Sequence, residues 1–275
     1  MTNPLPKSFT LDEVPRALTE ILDALQRVVT EDDARSAGSR SCASGAAKLA
    51  PRLAWVHRTG GATDWRRLFE TRRLRAESSG TSYERALGLE RAVYFFVGAC
   101  AFPTGTLALV MAPFAARPDA STFTPYDTGA LKKHLILADR SLPWDDDAKT
   151  QHLREHLGGG ADAGAFLGPY LAAHFRDPLD YVRAGQHASP DFAPYHGLRS
   201  GTQDRRAWTV ETRVHEDVDV APGGEFLEEI WFEDHDLVNE LPDDFKGIAR
   251  VIPDGVRLES AVAQSIEARF RRADE

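Results

Sequence analysis

The chain has 275 residues, 42% of them hydrophobic and 27% charged, enough to bury a real core in one large domain or one domain with an appendage. A formal net charge of -9 at pH 7 argues against sequence-independent binding to nucleic acid or an anionic membrane, which needs a basic surface, while leaving local basic patches open. The two cysteines, Cys42 and Cys100, are too few for a disulfide framework and lack the close pairing of a zinc site. With no export signal at the start and no apolar run near the ~20 residues of a membrane helix, the chain reads as cytoplasmic.

Residues 10–29, "TLDEVPRALTEILDALQRVV", carry Val14, Leu18, Ile21, Leu22, Leu25 and Val28 at helical spacing, with Thr10 and Glu13 forming a capping-box pattern. A small, polar stretch, "SAGSRSCASGAAKLAPR", follows and reads as a linker. The expected organisation is therefore a helical appendage over 1–50 and a domain over 51–275. From Leu53 the pattern becomes an apolar strand ending at His57, a Thr59-Gly60-Gly61 break, and a helix over roughly 62–71. A connection rich in Ser and Gly leads to "RAVYFFVGACAF" and "TGTLALVMAPF", two buried strands that Pro103-Thr104-Gly105 would join as a hairpin. Short helices are predicted near 128–137, 147–157 and 165–175.

In "RRAWTVETRVHEDV" the residues Trp208, Val210, Thr212 and Val214 alternate with Glu211 and Arg213, giving a strand with two different faces. "EFLEEIWFE" and "GIARVIPDGV" add two strands, and "LESAVAQSIEARFRR" closes as a helix. Strands at both ends of the sequence, with helices between, imply an α+β protein with a mixed sheet.

Three patterns compete for the chemistry. "HLREH", 152–156, places His152 and His156 four apart on one helix face with Glu155 between them, as an inverted zinc-protease motif requires. A third ligand would come from Glu225, Glu228 or Glu229, and the alternative is a solvated amphipathic helix cut short by Gly158-Gly159-Gly160. "DTGA", 127–130, spells an aspartic-protease signature, but Pro125 and Tyr126 before it fit an N-cap or turn aspartate better, one that could still line a site.

The third pattern is dispersed: "WVHRTG" on a first strand, an amphipathic helix, "RAVYFFVG" on the next strand, and a glutamate on a late strand in "RRAWTVETRV". This order resembles the H-Y-E branch of the ADP-ribosyltransferase fold, which includes poly(ADP-ribose) polymerases, DarT-like toxins and RNA 2'-phosphotransferases. The resemblance covers 52–112 well and 204–235 loosely. It implies a split mixed β-sheet of ADP-ribosyltransferase type, with NAD as substrate and ADP-ribose passed to a macromolecular acceptor. A toxin or phage-defence role, with a neutralising partner protein, is part of the same expectation.

By that resemblance His57 would bond a ribose hydroxyl of NAD, the Arg58 backbone would hold the nicotinamide amide, and Thr59 would steady the turn. Tyr94 would shape the nicotinamide pocket, and Glu211 would bond the 2'-hydroxyl while the glycosidic bond breaks. The polymerases have Gly where this chain has Arg58, so only backbone contact carries over there. Phe102 stands near the place of their second tyrosine, and Arg75 of "RRLR" is the choice for the pyrophosphate.

The chemistry accounts for these types, because departing nicotinamide leaves positive charge on the ribose that a carboxylate stabilises. Each residue also has a structural reading: a core histidine bonded to backbone, a core tyrosine, a solvent-face glutamate. The arginines at 66, 67, 72, 73 and 75 are either one anion site or the solvated face of a helix and its exit. His196 in "APYHGLRSG" would belong to a loop near the site, and a silent fold of the same kind acting as a binding module is the remaining alternative.

Overall fold

The computed structural model describes residues 50–59, 62–78, 80–102, 105–112, 118–129, 131, 145–175, 179–183 and 205–272, together with residue 48 and parts of 20–27. The predicted cap at Thr10, the Gly60-Gly61 turn, most of the 128–137 helix and His196 lie outside the described residues. Within 20–27, Leu25 is fully buried in the main core and Leu22 packs against it, as the helical spacing requires.

The architecture is α+β, built on one large mixed sheet. Its strands are β1 (Trp55–Thr59), β3 (Glu77–Ser78), β4 (Arg91–Val97), β5 (Leu107–Met111), β6 (Ser121–Thr124), β7 (Gly158–Gly159), β8 (Glu211–Val214), β10 (Leu227–Phe232) and β11 (Ala249–Val251). Two short strands, β2 (Arg73–Leu74) and β9 (Val218–Asp219), pair separately. The order across the sheet is β11-β10-β5-β1-β4-β8-β6-β7, with β3 joined to β4 and, among the described residues, only the β10–β11 pair parallel.

The hairpin expected between β4 and β5 does not form, because β1 inserts between them and pairs with both. Strands β4 and β5 are largely continuous apolar runs buried on both faces, and such a run carries no information about its neighbours. The chain leaving β4 returns close against β1: a Cβ on Gly105 would stand 2.0 Å from the Thr59 carbonyl oxygen, and its φ of +122° suits glycine alone.

Helix α1 (Ala62–Thr71) matches its predicted span. Trp65, Leu68 and Phe69 follow the i, i+3, i+4 rule onto the core, whereas Arg66, Arg67 and Glu70 face outward. The Phe69 ring meets Phe245 edge-on at 4.8 Å and Phe232 at 6.4 Å, fixing α1 over β10.

Helix α2 (Ser82–Ala86) is too short to persist alone and depends on its cap. Thr81 accepts from the Glu84 amide, while Glu84 Oε2 accepts from the Thr81 amide at 2.7 Å, a complete capping box. Thr81→Ala is expected to cost about 1 kcal/mol, read from the shift of the urea midpoint at unchanged slope.

Helices α3 (Asp146–His156) and α4 (Ala163–His174) occupy the predicted positions, with Asp145 capping α3. Short helices α5 (His235–Asn239) and α6 (Asp243–Lys246) precede α7 (Leu258–Arg272), which spans its predicted stretch. Among the described residues no helix is long and apolar enough to cross a membrane.

Candidate functional site

Strand β1 pairs with β5 over all five residues but with β4 at only two positions, Trp55↔Val97 and Val56↔Phe96. Beyond these, β4 stays with β8 and β1 stays with β5. The sheet therefore parts between β1 and β4, and a cleft of about 630 Å³ opens beside the parting. All seven residues singled out by the resemblance line it: His57, Arg58, Thr59, Arg75, Tyr94, Phe102 and Glu211.

Register alone would separate His57 from Glu211. Phe96 lies opposite both Val56 and Glu211, so strand alternation sends His57 to the other face. At the parting the His57 ring reaches the free β4 edge, and it also lies 5.7 Å from the ring of Phe95, on the face away from Glu211. Val97 N–H bonds to Val210 and Gly98 N–H to Ala54, which directs the peptide groups of the even-numbered residues of β4 toward β1. On that edge the Tyr94 carbonyl receives the His57 Nδ1–H, at 2.8 Å, where a continued ladder would have supplied a backbone amide. The ring thus sits in the opening. Burial lowers its pKa, so the imidazole is neutral, and with Nδ1–H donated Nε2 is left as an acceptor.

Arg58 has a structural task. Its guanidinium bonds to the carbonyls of Phe102 and Gly105 and pairs with Glu259 at 2.6 Å and Glu233 at 3.0 Å, leaving 4% of the side chain exposed. Only its backbone is available to a ligand, as the departure from the family pattern implies. Phe102 is the one large hydrophobic side chain among the described residues that is exposed. Thr59 and Tyr94 line the cleft with their hydroxyls buried; the Thr59 hydroxyl has no hydrogen-bond partner among the described residues, and the Tyr94 hydroxyl lies beside Glu84. Burial raises the Tyr94 pKa far above its ordinary value, reinforced by Glu84 and Glu211, so the phenol is a neutral donor.

Glu211 does not lie on a solvent face: it is 3% exposed, and its neighbour Arg213 is fully buried. Helix α2 and the 126–128 segment cover this side of β8. Glu211 Oε1 accepts from Thr128 Oγ1 at 2.8 Å and from Arg213 at 3.3 Å, and Arg213 also bonds Thr124 Oγ1. Desolvation pushes the Glu211 carboxyl up to about 8; Arg213 opposes this, and Asp127 and Glu84 add to it.

Two of these acids extend the sequence reading. Asp127, weighed as a turn aspartate, is buried and lines the cleft, its N–H bonded to the Arg206 carbonyl. Glu84 was not singled out. The Thr81-x-x-Glu84 box announced its helix start but not that its second oxygen, Oε1, would lie 2.5 Å from Thr128 Oγ1.

The arginines divide. Arg66 and Arg72 pair with Glu240 and Asp244, whereas Arg67, Arg73 and Arg75 line the cleft, exposed and without a carboxylate partner among the described residues. The cleft is consequently polar in charge, with the buried acids Glu84, Asp127 and Glu211 at its inner end and the solvated guanidinium groups of Arg67, Arg73 and Arg75 on its wall beside Glu77; the Arg58 guanidinium in its lining is committed to Glu233 and Glu259.

The His152/His156 pair shares a helix face, as the spacing predicts, with ring centroids 4.2 Å apart. Both rings pack on Tyr126, His156 Nδ1 donates to the His152 carbonyl, and Glu155 accepts from Gln151. Glu228 and Glu229, offered as a third ligand, instead bind Arg269. Among the described residues no group of three or more His, Cys, Asp or Glu is placed to hold a metal ion. No protein-family model matches the chain, and no curated protein matches it.

Proposed function

We propose that the chain is an NAD-cleaving ADP-ribosyltransferase of the H-Y-E kind. The observation that carries this reading is the convergence of His57, Tyr94 and Glu211, from three strands, on one cleft beside a parted sheet. Its charge supports the same ligand. NAD has an anionic pyrophosphate and a cationic nicotinamide ring, and the cleft offers guanidinium groups for one and buried carboxyls for the other. The cleft volume falls within the roughly 300–1,000 Å³ of small-molecule sites.

In this reading His57 Nε2 accepts from a ribose hydroxyl, and the Thr59 hydroxyl finds in the ligand the partner it lacks. Phe102 offers a face for stacking. The bond between nicotinamide nitrogen and ribose carbon breaks with its electron pair going to the nitrogen. Positive charge grows on the ribose beside Glu211, in a desolvated place where a carboxylate acts most strongly. The acceptor then bonds to that carbon and loses its proton.

The test is release of nicotinamide from NAD by the purified protein, with cell lysate as acceptor source. Folded protein that releases none removes the proposal. The arginine wall gives a second check: Arg75→Ala is expected to raise KM for NAD about fivefold with little change in kcat, since it loses about one exposed charge-assisted contact. That increase should shrink as salt is added, and an unchanged KM would take Arg75 out of the site.

A further inference from the structure

Thr128 Oγ1 stands 2.5 Å from Glu84 Oε1 and 2.8 Å from Glu211 Oε1. A hydroxyl has one proton and donates it to one acceptor. Two ionised carboxylates have no proton to offer, so the second short contact requires a carboxyl that donates to the threonine oxygen. The remaining contacts leave this conclusion unchanged. Glu84 Oε2 is an acceptor already, taking both Thr81 N–H and Thr81 Oγ1–H, and Arg213 donates to Glu211.

The charged and titratable groups facing this pair are Asp127 and Tyr126 from the covering segment, Tyr83 from α2, Tyr94 from β4 and Arg213 from β8. Three acids against one guanidinium, all buried, leave an excess of negative charge that a proton relieves.

We propose that Glu84 and Glu211 act as one carboxyl pair joined through Thr128, holding a single proton in the free protein and exchanging it for the cationic head of the ligand. The proposal rests on the transferase reading only for the choice of a pyridinium as that head. A cation at the inner end replaces the proton's charge, and the pair becomes doubly ionised beside the ribose. Once the ring leaves as neutral nicotinamide, the doubly ionised pair is the base that takes the acceptor's proton as the new bond forms. The pair then returns to its starting state. The proton expelled on binding is balanced by the proton received on transfer.

The test uses two measurements on the full chain. Carbon-detected NMR of the glutamate carboxyls in the free protein should show one carboxyl of the pair still protonated near neutral pH. In Glu84→Gln, which keeps a capping-box acceptor, Glu211 should ionise at lower pH, and Thr128→Val should uncouple the two without removing either acid. Both carboxyls ionised through about pH 5 to 8 would overturn the proposal.

Calorimetry with 1-methylnicotinamide, a permanent cation, in buffers of different ionisation enthalpy should show about one proton released, and affinity rising up to tenfold per pH unit below the carboxyl's free-state value. Neutral nicotinamide should release none, and Glu84→Gln should flatten the pH dependence. Absence of cation binding, or binding without proton release, sinks the inference even if NAD is cleaved. Proton release without NAD cleavage leaves it standing and removes the transferase reading alone.

Discussion

Glu211→Gln is expected to lower nicotinamide release by about 10²–10³-fold while making the protein more stable at neutral and alkaline pH. The activity loss follows from removing the one carboxylate that lines the cleft from the central strands, with its amide isostere unable to carry charge. The stability gain follows from linkage. The Glu211 carboxyl ordinarily titrates near 4.5 and is held far above that in the folded chain, so the folded state keeps a proton that the unfolded state has lost. Stability from this group is fully present below about pH 4.5 and declines as pH rises through the folded value, by up to about 1.4 kcal/mol per unit.

Glutamine lacks that slope. The depressed pKa values of His152, His174 and His215 have the opposite sign, costing stability as pH falls, but they are common to both proteins and cancel in the difference. Denaturation curves at several pH values, set beside nicotinamide release, separate a site residue from a structural one. A variant that loses activity and stability together at pH 8 would mark Glu211 as a fold determinant only.

What the sequence disclosed depended on how each element meets water. Helices α1 and α7 each put a polar face outward, and their spans were readable from spacing alone. The central strands are buried on both sides, so "RAVYFFV" and "LALVM" identified themselves as strands but not as neighbours of β1.

The same limit left two readings of Glu211 open at β8. Alternation of Val210 and Thr212 with Glu211 and Arg213 suggests an inner and an outer face, yet the supposedly outer residues are the more deeply engaged ones. Nothing local distinguishes a solvated Glu-x-Arg from a buried one; α2 and the 126–128 segment decide it from more than 80 residues away. Site residues on strands were within reach because strand order along the chain survives in the motif. Glu84 and Asp127 come from connections, where the role of a carboxyl depends on what the connection covers.

Arg213 is where the fold and the proposed chemistry constrain each other most tightly. It is completely buried, it faces Tyr94 across β4 and β8, and among the described residues its two amino groups bond Thr124 and Glu211. Among the described residues it is the cation that lowers the Glu211 carboxyl against burial. Arg213→Leu should therefore cost about 3–5 kcal/mol at pH 8, because it leaves ionised carboxyls buried without their partner.

The cost should be smaller at pH 5, where Glu211 holds its proton and needs the guanidinium less. The direction follows from the charge: Arg213 lowers the Glu211 pKa, so its loss raises that pKa further and steepens the fall of stability with rising pH. Urea denaturation of wild type and variant at both pH values measures the difference. If the cost is the same at both, Arg213 acts through packing and its bonds to Thr124, and the carboxyl cluster is less dependent on it than the geometry indicates. If the cost grows with pH and is largely relieved in Arg213→Leu/Glu211→Gln, one buried guanidinium both allows β8 to stay folded around an acidic site and sets the pH at which that site is ionised.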